Sequence, residues 1–108
     1  MGFVEYSFEF YEPGCKAVFR KYSHQEAAIR EGVSAHVRRE IDTDFAKTKL
    51  ATRRHFDGHK VYECRVNLAK LPALRVAFAL DGSQVTIVYM STNIQKSEFS
   101  AEIESFLN

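Results

Sequence analysis

The sequence predicts an α+β fold, with one domain over residues 1–108. We expect an antiparallel sheet of about four strands, two N-terminal helices packed on one face, and a C-terminal helix, in the order β-α-α-β-β-β-α. Polar and apolar residues alternate over residues 4–10, which is the period of a strand. Apolar residues then recur at every fourth position, which is typical of a helix. Three later segments are rich in β-branched and aromatic residues: 61–66, 74–80 and 85–91.

The first strand is expected to end at Pro13-Gly14, because proline cannot donate to a strand ladder and glycine favours turns. A short helix is predicted over residues 15–22. The spacing of Ser23 and Glu26 predicts the capped start of a longer helix. Its apolar stripe consists of Ile29, Val33, Val37, Ile41 and Phe45.

The three later strands are predicted to form an antiparallel meander, since Asp81-Gly82 is a hairpin signal and Pro72 lies in a longer loop. A final helix is indicated by apolar spacing, with Ser97 as its expected cap. The residues of that stripe are Phe99, Ile103, Phe106 and Leu107.

Strand periodicity predicts where the arginines of the meander point. In the strand 74–80 the alternate positions from Leu74 to Leu80 are apolar, so Arg75 must project from the other face. The same parity turns Arg65 outward. We therefore expect Arg65 and Arg75 on one side of the sheet, away from the helices, and Tyr89 on the apolar side.

Positive charge is concentrated in the middle of a chain whose formal net charge is only +1. The window 47–75 holds eight of the fifteen Lys and Arg residues but two of the fourteen Asp and Glu residues. Such clustering is typical of a surface that meets an anion, with phosphate the obvious candidate. The alternative is a solvated loop. The predicted RNA-phosphate contacts are Lys47, Lys49, Arg53, Arg54 and Lys60.

Other site chemistries are poorly supported. Cys15 and Cys64 have no CxxC companion, so neither a disulfide framework nor a zinc site is indicated. The sequence has no Gly-rich phosphate loop, HExxH pair or serine elbow, and we predict no metal and no cofactor. No apolar segment approaches membrane-spanning length and no secretory leader is evident, so we expect a cytoplasmic protein without membrane partners.

The C-terminal third resembles the RelE branch of the RelE/ParE toxin superfamily. The resemblance is carried by LRVAFALDGSQVTIVYMSTNIQKSEFSAEIESFL, residues 74–107, and by VYECRV, residues 61–66, which is similar to that family's Y-E-L-R strand. It implies a small cytoplasmic toxin, held inactive by a cognate antitoxin, that enters the ribosome and cuts messenger RNA. Members similar to ParE instead inhibit DNA gyrase, and a member that has lost toxicity would act as a binding protein.

The resemblance implies roles for three residues. Arg75 stands where the family's strand arginine contacts the scissile phosphate, Arg65 fits a second strand arginine, and Lys96 lies near a basic catalytic position. The chain departs from RelE at its lysine pair, where Val61 and Glu63 stand instead.

Metal-free RNA cleavage through the ribose 2′-hydroxyl needs groups that transfer protons and a cation for the phosphate. Arginine suits the phosphate because its planar fork binds two oxygens. His55 and His59 are candidate acid/base groups because the ordinary histidine pKa lies near neutrality. Related HigB-like toxins use a histidine. The alternative is that both are solvated loop residues.

Overall fold

The computed structural model describes residues 5–44 and 48–108, and the α+β class is confirmed. The described chain forms five strands, three α-helices and a short 3-10 turn at Ser23–Gln25. The strands are β1 Ser7–Phe10, β2 Lys49–Phe56, β3 His59–Val66, β4 Leu74–Asp81 and β5 Gln84–Ser91. The helices are α1 Glu12–Lys21, α2 Glu26–Asp44 and α3 Lys96–Leu107.

The described strands form one mixed sheet in the order β1-β5-β4-β3-β2. The meander from β3 to β5 is antiparallel as predicted. The prediction of about four antiparallel strands is wrong, because β1 runs parallel to β5 and β2 adds a fifth strand. β2 was missed because it lies at the sheet edge, where polar side chains face solvent and the apolar alternation of a strand is weak.

Proline and glycine do not separate the first strand from the first helix. Pro13 instead lies in the first turn of α1, where the amide hydrogen it lacks would have had no partner. Gly14 packs so closely on β5 that a Cβ there would lie 1.9 Å from the Val88 carbonyl oxygen. At the other end of the chain, Gln95 rather than Ser97 occupies the N-cap position of α3, and its side chain makes no capping hydrogen bond.

Helices cover both faces of the sheet. The α1–α2 face is built on Val18, Ile29 and Val33 with the inward residues of β3, β4 and β5. On the opposite face, Phe99 and Ile103 of α3 pack against the sheet. The prediction that Arg65 and Arg75 lie on a side away from all the helices is therefore wrong, because α3 covers part of their face.

The sheet curls around α3. Tyr11 follows β1 at one edge and Phe56 ends β2 at the other, yet their ring centroids are only 4.8 Å apart. Phe106 of α3 lies 6.1 Å from the Tyr11 ring, between the two edges. The face that carries α3 is thus the concave one.

A bulge in β5 reverses the predicted side of Tyr89. Ala77 pairs with Tyr89 while Phe78 pairs with Ile87, so Val88 is an extra residue in the ladder. Tyr89 consequently lies on the α3 face beside Phe99, not on the face shared by Val85 and Ile87.

None of the described helices combines the length and the apolar character that crossing a bilayer requires.

Candidate anion-binding site

Arg65 and Arg75 are direct partners in the ladder between β3 and β4, and both lie on the concave face. Their predicted position on one side of the sheet is confirmed, although α3 shares that side. Arg65 is exposed, whereas the Arg75 side chain is only 18% exposed. Like charges directly opposite each other destabilise a sheet, so the pair is unfavourable unless nearby anions offset its charge.

A buried carboxylate lies beside the arginines. Glu63 Oε1 is 3.7 Å from Arg75 Nη1 and 3.7 Å from Lys96 Nζ. The Glu63 side chain is 3% exposed, and no hydrogen-bond partner is found for its Oε2 among the described residues. Lys49 is the partner of Glu63 on β2. We call Lys49, Arg65, Arg75 and Lys96 the cation cluster.

The turn between β5 and α3 places Lys96 in this cluster. Arg75 Nε donates a 2.8 Å hydrogen bond to the Ile94 carbonyl oxygen. The Asn93 amide donates to Ser91 Oγ at 3.0 Å. Because α3 begins immediately afterwards, its first residue, Lys96, reaches Glu63 of β3.

The start of α3 adds to the positive potential of the cluster. Peptide dipoles give a helix N-terminus a partial positive charge, and the Gln95 side chain makes no capping hydrogen bond there. Two cations, Arg75 and Lys96, thus flank one buried carboxylate, while Lys49 and Arg65 share its face of the sheet. Such an arrangement can bind a phosphate group through charge-assisted hydrogen bonds.

The two candidate histidines lie away from the cation cluster. His59 is at the opposite end of β3 from Arg65, so the two are about 20 Å apart along the strand. Its Nε2 is 3.5 Å from Asp81 Oδ1, and its Nδ1 is 2.9 Å from the Asp57 carbonyl oxygen. His55 pairs with Lys60 on the opposite face of the sheet. Neither histidine can reach a phosphate held by Arg75 without a large rearrangement.

A second concavity surrounds His59. It has a volume of about 150 Å³, and Glu9, Asp57 and Asp81 are among its lining residues. Its acidic lining contrasts with the cation cluster, so the two ends of the concave face carry opposite charge.

The predicted RNA-phosphate residues do not form one surface. Lys47 lies outside the described residues. Lys49 belongs to the cation cluster, while Lys60 projects from the other face of the sheet. Arg53 is exposed on β2.

Arg54 is held by α3 rather than left for a phosphate. Its Nε donates to Glu104 Oε2 at 2.8 Å. Glu104 Oε1 also accepts a hydrogen bond from Thr52. These hydrogen bonds, Thr52 first, hold the pKa of Glu104 below its ordinary value. Arg54 and Thr52 therefore fasten α3 to the edge strand.

Three other titratable groups are unsuited to proton transfer near neutral pH. Tyr89 donates a 2.8 Å hydrogen bond to Glu102 Oε1. Burial, reinforced by this bond, raises the Tyr89 pKa to about 12. Burial likewise raises the pKa of both free thiols, Cys15 and Cys64, to about 12, so neither is an active nucleophile.

Glu63 is the residue of the cluster whose role the sequence interpretation missed. Glu63 stands two residues before Arg65 in β3, so the sequence places the two on one face of the strand. The structure pairs Glu63 with Arg75 and Lys96 and buries it. Its burial depends on where α3 docks, which no local pattern specifies.

No group of three or more His, Cys, Asp or Glu side chains within residues 5–44 and 48–108 is arranged to hold a metal ion. Comparisons with models of known families, with curated proteins and with solved structures found no match.

Proposed function

We propose that this protein is the toxin of a type II toxin–antitoxin system, acting in the cytoplasm as a ribosome-dependent endoribonuclease on messenger RNA. A cognate antitoxin holds it inactive. The observation that carries the proposal is the cross-strand pair Arg65 and Arg75, joined by Lys96 on the concave face. Glu63 offsets only one of these three positive charges, and a bound phosphate would offset the repulsion that remains.

In the proposed mechanism Arg75 stabilises charge on the scissile phosphate. Its Nε bond to Ile94 fixes the guanidinium, so little side-chain entropy is lost when the phosphate binds. Arg65 is exposed and binds the same or the adjacent phosphate. Lys96 supplies a second charge from α3. Such fixed charges act most strongly on the phosphoryl oxygens in the transition state.

A second candidate is a ParE-like protein that inhibits DNA gyrase by contact alone, or a superfamily member that binds partners without toxicity. The position of the histidines favours it. His55 and His59 are the candidate acid/base groups of the sequence, yet His59 is about 20 Å from the arginine pair along β3 and His55 projects from the other face. A protein that only binds an anionic or acidic partner needs the cations but not the proton-transfer groups.

Inducible expression in a bacterium tests the proposal. The wild-type chain is compared with Arg65→Ala and Arg75→Ala, and Arg53→Ala is the matched control because Arg53 is exposed outside the cluster. Arg65→Ala is included because its exposed side chain has no structural role in the cluster. Circular dichroism of each purified variant checks folding.

We expect growth arrest with cleaved ribosome-bound transcripts from the wild type and from Arg53→Ala. Both cluster variants should lose cleavage at least tenfold. Arrest with intact transcripts and impaired DNA supercoiling would instead establish the gyrase alternative. Absence of arrest in every strain would refute toxicity and leave a binding protein.

A further inference from the structure

Glu63 has fewer partners than a buried carboxylate requires. Its two ion pairs, to Arg75 and to Lys96, are both 3.7 Å long, which exceeds hydrogen-bond length. Its Oε2 has no hydrogen-bond partner within the described part of the chain. Burying an ionised carboxylate is costly unless donors surround it. Glu63 therefore has an unused acceptor.

The cations beside Glu63 also have unused capacity. Arg75 Nε donates a hydrogen bond to the Ile94 carbonyl oxygen, but Arg75 Nη1 lies at ion-pair distance from Glu63 and makes no hydrogen bond to it. The Lys96 side chain is half-exposed and meets Glu63 at a similar length. Because neither cation is saturated by Glu63, both can turn their donors towards an incoming anion.

A ligand that completes this site must offer two kinds of group. It needs acceptor oxygens for Arg65, Arg75 and Lys96, and one hydrogen-bond donor for Glu63 Oε2. A simple phosphate diester meets only the first requirement. A phosphate next to a ribose meets both, because the 2′-hydroxyl is a donor adjacent to the phosphoryl oxygens.

We propose that Glu63 accepts a hydrogen bond from the ribose 2′-hydroxyl beside the bound phosphate, so that the site selects RNA over DNA. This inference rests on the proposed function, since it requires a nucleic-acid phosphate at the arginine pair. Lys96 Nζ lies 3.7 Å from Oε1, and its side chain is half-exposed, so it can turn towards the phosphate. Because Oε2 is buried in the unliganded protein, the proposed bond requires the Glu63 carboxylate to turn towards the sugar when the phosphate binds.

Binding of three single-stranded hexamers of one sequence tests the proposal: RNA, DNA and 2′-fluoro RNA. The 2′-fluoro strand keeps an RNA-like sugar but has no 2′ donor, so it separates hydrogen bonding from shape. Fluorescence anisotropy is measured on ice at low salt within a minute of mixing. Mass spectrometry of the recovered strand checks that it is intact.

The variant is Glu63→Met, which removes the acceptor while keeping an unbranched side chain in the buried position. Replacing a buried charge by a well-packed apolar group is often tolerated. Glu98→Met is the matched control, because Glu98 is an exposed carboxylate in the first turn of α3. The wild-type comparison of the three strands needs no variant, so it remains informative if Glu63→Met fails to fold.

We expect the wild type and Glu98→Met to bind RNA about tenfold more tightly than either other strand. Glu63→Met should bind all three equally, with DNA affinity raised because a repelling charge is gone. Equal binding of all strands by the wild type would overturn the role of Glu63 and leave the phosphate site intact. So would an RNA preference that survives in Glu63→Met. Failure of every strand to bind would overturn the proposed RNA site itself.

Discussion

Replacing Arg65 by glutamine should stabilise the fold while it weakens anion binding. Arg65 lies directly opposite Arg75, and no ion pair of Arg65 is found among the described residues. A cross-strand pair contributes about 0.2–1 kcal/mol, so removing a like-charged pair should raise the free energy of unfolding by about 0.5 kcal/mol. For a domain of this size the melting temperature should rise by about 2–4 °C.

Arg75→Gln should have the opposite effect, although it removes the same repulsion. The variant deprives buried Glu63 of one of its two cations and the Ile94 carbonyl of its donor. Breaking a buried charge pair costs about 3 kcal/mol. The two partners of one repulsive pair should therefore differ in the sign of their effect on stability.

Thermal and urea unfolding, followed by circular dichroism at low salt and at 0.5 M salt, measure both effects. Arg53→Gln is the matched control, since Arg53 is an exposed arginine on the edge strand, and its stability should stay near wild type. The gain from Arg65→Gln should shrink at high salt because exposed charges are screened. A loss of stability on Arg65→Gln, or a gain that salt does not change, would refute the idea that the pair is mutually repulsive.

Three further predictions concern other parts of the fold. Gly14→Ala should lower the free energy of unfolding by about 1–3 kcal/mol, because the alanine Cβ would lie 1.9 Å from the Val88 carbonyl oxygen. This loss outweighs the better helix propensity of alanine. Unchanged urea denaturation would contradict the contact. The lowered pKa of Glu104 means that its contribution to stability is present above its unfolded pKa and is lost as pH falls through the folded pKa. Glu104→Gln should therefore reduce stability at pH 7 but show a smaller further loss on acidification below pH 4.5, and parallel acid profiles for the two proteins would argue against the interaction with β2. Cys15 and Cys64 are buried, and their pKa values are raised to about 12. Iodoacetamide at pH 8 should therefore label these thiols only when the protein unfolds, as measured by mass spectrometry. Rapid labelling of the native protein would show that the thiols are accessible.

The sequence was most informative where hydrophobic period and burial agree. Strands β3, β4 and β5 and helix α2 carry strong periodic patterns, and each was predicted within a few residues of its observed bounds. Strand β2 was not predicted, because an edge strand buries few side chains and the basic composition of this segment is like that of a loop. Tyr89 was misplaced because the bulge at Val88 shifts the parity of β5, and no single-strand pattern reveals a bulge.

The sequence alone determined that Arg65 and Arg75 share a face, because side chains alternate along a strand and the apolar residues of β3 and β4 must point into one core. Only the tertiary structure decided what surrounds that pair. The docking of α3 on the curled sheet brings Lys96 to Glu63, buries Glu63 beside Lys96 and Arg75, and leaves His59 at the far end of β3. These relations depend on how distant segments pack, and the energy of packing is a property of the assembled layers and not of any local run of residues.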